Sequence, residues 1–499
     1  MGEPCIVSID EGTTGTRALL IDGNGQVVKQ AYRRLNVFYP YPGWVEQDAM
    51  EIWESTRSVL AEVIDMARAM SRDIVALAIS NQRETTVMWD AETGKPLCPA
   101  IVWQCRRTED ICAELRQSKD TEDFVLEKTG LPIDPYFSAT KIAWMLDAID
   151  GGRTLAEQGK ILVGTVDSWL VWNLTGGAMH ITDATNAART QLMDIHSLSW
   201  SDALAQIFEV PLRCLPTIVP SGERQGTTSQ VQGVPNDIPI LAIMGDSQAA
   251  LYGEAAFQRG DAKVTYGTGS SILVNTGSKP MSPQKGLAAT VAWQVHGETF
   301  YALEGIIHST GAGIEWLREG LQIISDAGEC ERLAQSVADT GDVFFVPAFA
   351  GLGTPWWNSK ARGTIVGITR GTKREHIVRA ALDAIAFQVK DVFDAIDAIT
   401  SHASGVIYCG GGGSRNGYLM QFQADLLQRP IVTSNNPEAS SMGVANMAGL
   451  VAGLWTDSDL IVRRESLPGK RYLPKKASVE MEPLVSRWHE AVKRSFNWV

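Results

Sequence analysis

Along the first eighty residues the apolar positions change their period twice. Residues 5–9 and 17–21 run or alternate apolar on either side of a Gly/Thr turn, which predicts a β-hairpin. The turn lies within "IVSIDEGTTGTRALL" (6–20), where a bare carboxylate, Asp10, stands near the end of the first strand. A third strand is expected at Gly25–Lys29. Asp48 is placed to cap a helix, and positions 52, 53, 56, 59, 60, 63, 64 and 67 then follow the helical period. After it, "IVALAIS" (74–80) reads as a buried strand. Strands, then helix, then strand is not a simple alternating βα chain.

Near residue 240 a similar order restarts. "IPILAIMGD" (238–246) is an apolar strand ending in Asp246, followed by the helical "SQAALYGEAAF". "AKVTYGTGSSILVNTG" (262–277) is again strand, Gly/Thr turn, strand, and "GVIYCGGGG" (405–413) is a strand that meets glycines before the helical "GYLMQFQADLLQ". The chain therefore reads as α/β in two halves of like topology, 1–250 and 251–499, with the second hairpin facing the first.

The totals narrow the partners. At 499 residues two or three domains are expected, and 44% hydrophobic with 20% charged residues is ordinary for a globular chain. A net charge of −13 opposes nonspecific binding to nucleic acid or anionic membranes. No apolar run reaches membrane-spanning length, so no membrane insertion is expected. Seven scattered cysteines, never spaced C-x-x-C, and the lack of a leader pattern point to reduced thiols and a cytoplasmic protein. Cys98, Cys105 and Cys112 recur every seven residues, but no His joins them, so a metal site there is not expected.

Neither G-x-x-x-x-G-K-[ST] nor G-x-G-x-x-G nor G-x-S-x-G occurs. What remains are strand-to-turn sites. In "DEGTTGT" the glycines leave amides open, Thr13 and Thr14 add hydroxyls, and Arg17 is a nearby cation, a set suited to an oligophosphate or to an ordinary tight hairpin. "YGTGS" (266–270) has the same chemistry. Asp10 would repel phosphate unless a divalent cation lies between them. In "SNQRETTVMW" Arg83 and Glu84 pair donors with acceptors, as a polyhydroxylated ligand requires or as a surface ion pair would. Trp103 and Tyr136 could wall such a ligand or belong to the core. Asp246, at the carboxyl end of a buried strand, fits a general base or a helix cap.

Beyond these sites the chain resembles the FGGY carbohydrate kinases, and within them the members that phosphorylate glycerol. The likeness rests on "IDEGTTGTR", "PGWVEQDAMEIW", "SNQRETTVMWD", "AIVWQCRRT", "GTVDSWLVWNLTGG", "HITDATNAART", "TYGTGS", "YALEG", "VPAFAGLGTPWW", "ARGTIVGITRGT" and "LMQFQADLL", in register from about residue 5 to 450. "YFSATKIAWMLD" and "GTIVGITRGTKREHIVRAALD" look like the family signatures. The resemblance implies an actin-like ATPase (ribonuclease H-like) fold, two similar domains around a nucleotide cleft, and transfer of phosphate from ATP to a terminal hydroxyl of a small polyol. It implies Asp10 near Mg²⁺, with Asp246 as base and second carboxylate at the metal. Thr13, Thr14, Arg17, Thr268 and Gly269 would hold phosphates; Gly311, Glu315, Gly412 and Asn416 would lie along the nucleotide. Arg83, Glu84, Trp103, Tyr136 and Asp246 would form the polyol pocket. A homo-oligomer, dimer or tetramer, is implied as well.

Several positions depart from the pattern. Ser247 stands where Gln is usual, and Ser271 where Phe is usual, which opens the pocket and makes a four-carbon alditol the alternative to glycerol. Glu315 stands where Gln is frequent, and Gly410 where Asp is. "QGVPNDIPI" lacks an Arg that serves sugar-bisphosphate inhibition in some members, so that regulation is expected to be absent or weak. The rival readings are an actin-like ATPase switch or filament subunit, and a silent sugar sensor.

Overall fold

The computed structural model describes residues 2–284, 286–400, 405–434, 438–467 and 469–498. The first hairpin forms as expected. Strands Glu3–Glu11 and Gly15–Asp22 pair antiparallel from Cys5 opposite Asp22 to Glu11 opposite Thr16, and the Gly12 amide closes the turn on the Gly15 carbonyl at 3.1 Å. Asp48 caps helix Ala49–Ala69 by accepting from the Met50 amide at 2.8 Å. The third strand is Val27–Arg34, not Gly25–Lys29. Its expected start is consumed by a turn in which Asp22 Oδ1 accepts from the Asn24 and Gln26 amides while Gly25 takes φ +75°.

The first half is built on a five-stranded sheet in the order Ile240–Gly245, Arg72–Asn81, Glu3–Glu11, Gly15–Asp22, Val27–Arg34. Alternation along Glu3–Glu11 splits its side chains between two cores. Val7 and Ile9 pack with Ile52, Val59, Leu60 and Val63 of the long helix. Ile6 faces the other way, with Ala76, Ala78 and Met244, onto Ala249, Leu251, Val444 and Ala448. That second core also contains Leu273, Trp293 and Ala302, so it joins the two halves. Inserted in the first half is a four-stranded sheet of Glu46–Gln47, Ala100–Ile101, Thr86–Asp90 and Ile161–Thr165.

The second half repeats the plan in a seven-stranded sheet. Ala262–Tyr266 and Ser270–Gly277 form the hairpin, Ile407–Gly411 lies parallel to the first of these, and Ile431–Thr433 lies parallel beyond it. Helices Asp246–Gly253 and Ala439–Val451 each follow the outer parallel strand of their own sheet and meet in the shared core. Their backbones touch: a Cβ on Gly443 would stand 1.7 Å from the Ala249 carbonyl oxygen, and one on Gly253 2.5 Å from that of Ala439. The helix after Asp246 is shorter than its sequence pattern suggested, ending at Gly253 before Ala255 enters the left-handed region at φ +50°. Among the described residues no helix is long and apolar enough to cross a membrane. All seven cysteines are free thiols, and all except the half-buried Cys98 are buried.

Candidate active site

Asp10 and Asp246 stand at the same edge of the first sheet, close enough for the charge of Asp246 to act on Asp10. Asp10 lies opposite Ser80 of Arg72–Asn81, and the strand beyond it ends with Gly245 opposite Asn81. Two strand spacings therefore separate their backbones, roughly 10 Å. Gly245 is the cap residue of the following helix and Asp246 its first residue, so capping is not what Asp246 supplies. Its carboxylate is 41% exposed and lines a cavity of about 640 Å³. Burial, and next the charge of Asp246, raise the pKa of Asp10 to about 6. A carboxylate whose charge is disfavoured by a neighbouring carboxylate forms, with it, a seat for a cation. Among the described residues no three His, Cys, Asp or Glu side chains converge as a metal site. A cation that takes one or two carboxylates and completes its shell with phosphate oxygens and water fits this pair.

Arg83 and Glu84 are not a surface ion pair. Both are buried, and Glu84 is held at φ +59°, a strained setting for a side-chain-bearing residue. Arg83 spreads its donors over three acceptors: Nη2 to Glu304 Oε1 at 2.7 Å, Nη1 to Gln248 Oε1 at 3.3 Å, and Nε facing Asp246 Oδ1 at 3.4 Å. Arg189 donates from Nε to Glu84 Oε1 at 2.6 Å and pairs through Nη1 with Glu304 Oε2 at 2.7 Å. Burial alone would raise Glu304, but Arg189 and Arg83 outweigh it and carry its pKa down to about 2. Glu304 sits on strand Glu298–Ile307 of the second sheet, so this buried ring of charges spans both halves. Glu304, Arg189 and Gln248 were not singled out from the sequence, although "YALEG" and "HITDATNAART" contain two of them.

Trp103 and Tyr136 stand side by side, ring centroids 5.6 Å apart, and Trp103 Nε1 donates to Thr13 Oγ1 at 2.9 Å. The aromatic wall is thereby tied to the first hairpin. Thr13 also donates to Gln82 Oε1 at 3.3 Å and its carbonyl accepts from Gln47 Nε2 at 2.8 Å. The Thr14 carbonyl accepts from the Leu35 amide at 3.0 Å. Arg17, expected as a phosphate cation, forms an ion pair with Glu438 and lies over Tyr32. The second hairpin is held through backbone: the Thr268 carbonyl accepts from Thr310, the Gly267 carbonyl from Gly311. A Cβ on Gly269 would stand 2.4 Å from the Ile307 carbonyl oxygen, and one on Gly311 2.6 Å from that of Gly267.

Thr268, Gly311, Glu315, Gly412 and Asn416 line a second cavity of about 640 Å³, with Ile314 and Leu419 as apolar wall. Asn416 caps helix Gly417–Leu427, and Glu315 lies 3.9 Å from Arg318. Gly412 and Arg415 border both cavities, so the two adjoin. Ser247, Ser271 and Gly410 line the first cavity beside Asp246, where Ser271 Oγ is buried without a hydrogen-bond partner among the described residues.

A repeated α/β core with two adjoining cavities, one of them lined from both halves, superposing on glycerol kinase among solved structures, defines an actin-like ATPase fold. Residues 5–253 match the N-terminal domain, and residues 262–452 the C-terminal domain, of the FGGY family of carbohydrate kinases. The chain belongs to that family. It is 49% identical over 494 residues to glycerol kinase 2 of Thermotoga maritima, covering 99% of each chain, and 46% identical over 498 residues to the glycerol kinase of Carboxydothermus hydrogenoformans, covering 100% and 99%. Among solved structures it matches Plasmodium falciparum glycerol kinase with ADP at a TM-score of 0.95 and 34% identity, covering 99% and 98%. These relatives lend no support to a four-carbon substrate, nor to a filament or switch role.

Proposed function

We propose that the chain transfers the terminal phosphoryl group of ATP to a terminal hydroxyl of glycerol. The observation that carries this reading is that Asp246 borders the phosphate cavity while facing Arg83 of the buried ring at 3.4 Å. In this reading Arg83, Glu84, Trp103 and Tyr136 orient the polyol. Asp246 takes the proton from the attacking hydroxyl, whose oxygen bonds to phosphorus as the bridging P–O bond breaks and ADP leaves with the electron pair. The first hairpin (Thr13, Thr14) and the second (Thr268, Gly269) hold the phosphates; Gly311, Glu315, Gly412 and Asn416 hold the nucleoside end. Arg17, engaged by Glu438, acts on phosphate only if that ion pair opens. Mg²⁺ seated by Asp10 and Asp246 would neutralise phosphate charge. The division near residue 250, a cytoplasmic setting and a homo-oligomer belong to the same reading.

ADP release with and without glycerol is the test. Glycerol-dependent turnover is expected. Equal turnover without any polyol would replace this reading with an ATPase switch, and none at all with a silent sensor.

A further inference from the structure

The register of the two hairpins places an unassigned lysine in the cleft. When Gly12 is set on Gly267, the strand Ala262–Tyr266 puts Thr265 where Asp10 stands and Lys263 where Ser8 stands. Lys263 and Thr265 alternate onto one face, and both line the cavity of Asp246 with Ser271, which pairs with Thr265. Lys263 is 8% exposed, and its ammonium has no hydrogen-bond or ion-pair partner among the described residues. Of the opposing charges that act on it, Asp246 acts most strongly, and its carboxylate already faces Arg83 Nε at 3.4 Å. Glu304 is held by Arg83 and Arg189, and Glu254 by Arg464 at 2.6 Å. Tyr408 lies opposite it on the parallel strand.

Without a partner among the described residues and not among the buried unpaired atoms, the ammonium opens onto the cavity, where an anion would complete its shell. Burial draws its pKa down to about 8, which leaves it cationic at neutral pH. Two strand residues span about 6.6 Å, so a four-carbon stem starting two residues below Thr265 reaches the level of the hairpin. Arg17 is paired with Glu438, and Arg415, which also borders the cavity, is exposed.

We propose that Lys263 is a catalytic residue that contacts the phosphoryl group in transit, from the wall opposite Asp10. The inference rests on the kinase reading. Phosphoryl transfer spreads charge over three equatorial oxygens, and a cation fixed in a water-poor cavity stabilises it most.

Lys263→Met and Lys263→Arg test it. With glycerol and ATP, kcat is expected to fall roughly 10²–10³-fold in the Met variant and to recover partly in the Arg variant. Calorimetry supplies a readout independent of turnover, the ratio of Kd for ADP to Kd for the β,γ-imido analogue of ATP. Loss of the wild-type preference for the analogue in Lys263→Met, with ADP binding unchanged, supports the role. A kcat within threefold of wild type with the ratio kept overturns it, and so does equal weakening of both ligands. Should the Met variant not fold, amine acylation of Lys263 in the wild-type protein decides. Protection by the analogue and not by ADP supports the contact, and equal protection refutes it. Absence of glycerol-dependent turnover in wild type would instead sink the kinase reading.

Discussion

The two hairpins share a register and differ in what they carry. At equivalent positions the first offers Asp10, Glu11 and Gly12, the second Thr265, Tyr266 and Gly267. The first is loaded with side-chain contacts: Thr13 is held by Trp103 and Gln82, and Arg17 by Glu438. The second is held chiefly by backbone, its Thr268 and Gly267 carbonyls accepting from the amides of Thr310 and Gly311, with Ser270 Oγ hydrogen-bonded to Thr310 Oγ1 at 2.7 Å. The difference extends behind the strands. Glu11 is buried, accepting from Thr16 and from Thr56 at 3.2 Å, whereas Tyr266 donates through its phenol to Gln423 Oε1 at 3.2 Å. One hairpin is thus tied by side chains to the Trp103–Tyr136 pair, and the other mainly by backbone to the start of helix Gly311–Glu319. A duplicated scaffold carries different side chains at matched positions, carboxylates at one hairpin and Thr265 and Tyr266 at the other.

The deepest cut into that contrast is Asp246→Ala. General-base help of this kind contributes roughly 10²–10⁴ in rate, so kcat should fall by that factor while the melting temperature stays near wild type. A variant with near-full activity would remove Asp246 from the role. Next comes Glu11→Gln. The folded pKa of Glu11 is raised by burial to about 8, above its unfolded value near 4.5. The stability this group contributes is therefore fully present below about pH 4.5 and is lost as pH rises through 8. At 1.36 kcal/mol per unit, the Gln variant should gain up to about 5 kcal/mol at pH 9 and nothing at pH 4, read from urea unfolding at the two pH values. An equal change at both would show that Glu11 is not neutral in the native hairpin.

Gly269→Ala probes the opposite wall. Its new methyl would press on the Ile307 carbonyl, an overpacking worth roughly 1–3 kcal/mol, so the KM for ATP should rise about 5–100-fold with the KM for glycerol little changed. A matching rise in both would mean the second hairpin is not specific to phosphate. The smallest effect belongs to Thr13→Val, which removes the acceptor for Trp103 Nε1, a neutral hydrogen bond of about 1 kcal/mol. Here the KM for glycerol should rise about fivefold or less, because the indole loses its anchor; a change confined to ATP would uncouple the aromatic wall from the hairpin.

Local pattern made much of this readable. The Gly/Thr turns, the Asp48 cap, the buried strand at 74–80 and the second hairpin at 262–277 are encoded by neighbours in sequence, and they form where the apolar period placed them. The third strand slipped because Asp22 hydrogen-bonds two amides downstream, a competition that apolar spacing does not register. Arg83 and Glu84 were visible as a pair, but their meaning depends on Arg189 and Glu304, 105 and 221 positions from the residues they touch. Lys263 escaped notice for the same reason. A lysine in "AKVTYGTG" looks like an ordinary strand residue until the fold turns it toward Asp246.

The contact of Gly253 with Gly443 sets a timetable for the newborn chain. The Asp246 carbonyl accepts from Ser440 Oγ, 194 positions later, and the helix that Asp246 begins rests on a partner made only near the end of translation. At about 5–20 residues per second the ribosome needs roughly 10–40 s to supply it. Through that interval the inward face of the first sheet lacks the cover of Ala439–Val451, so aggregation and chaperone capture should concentrate on chains arrested before residue 439.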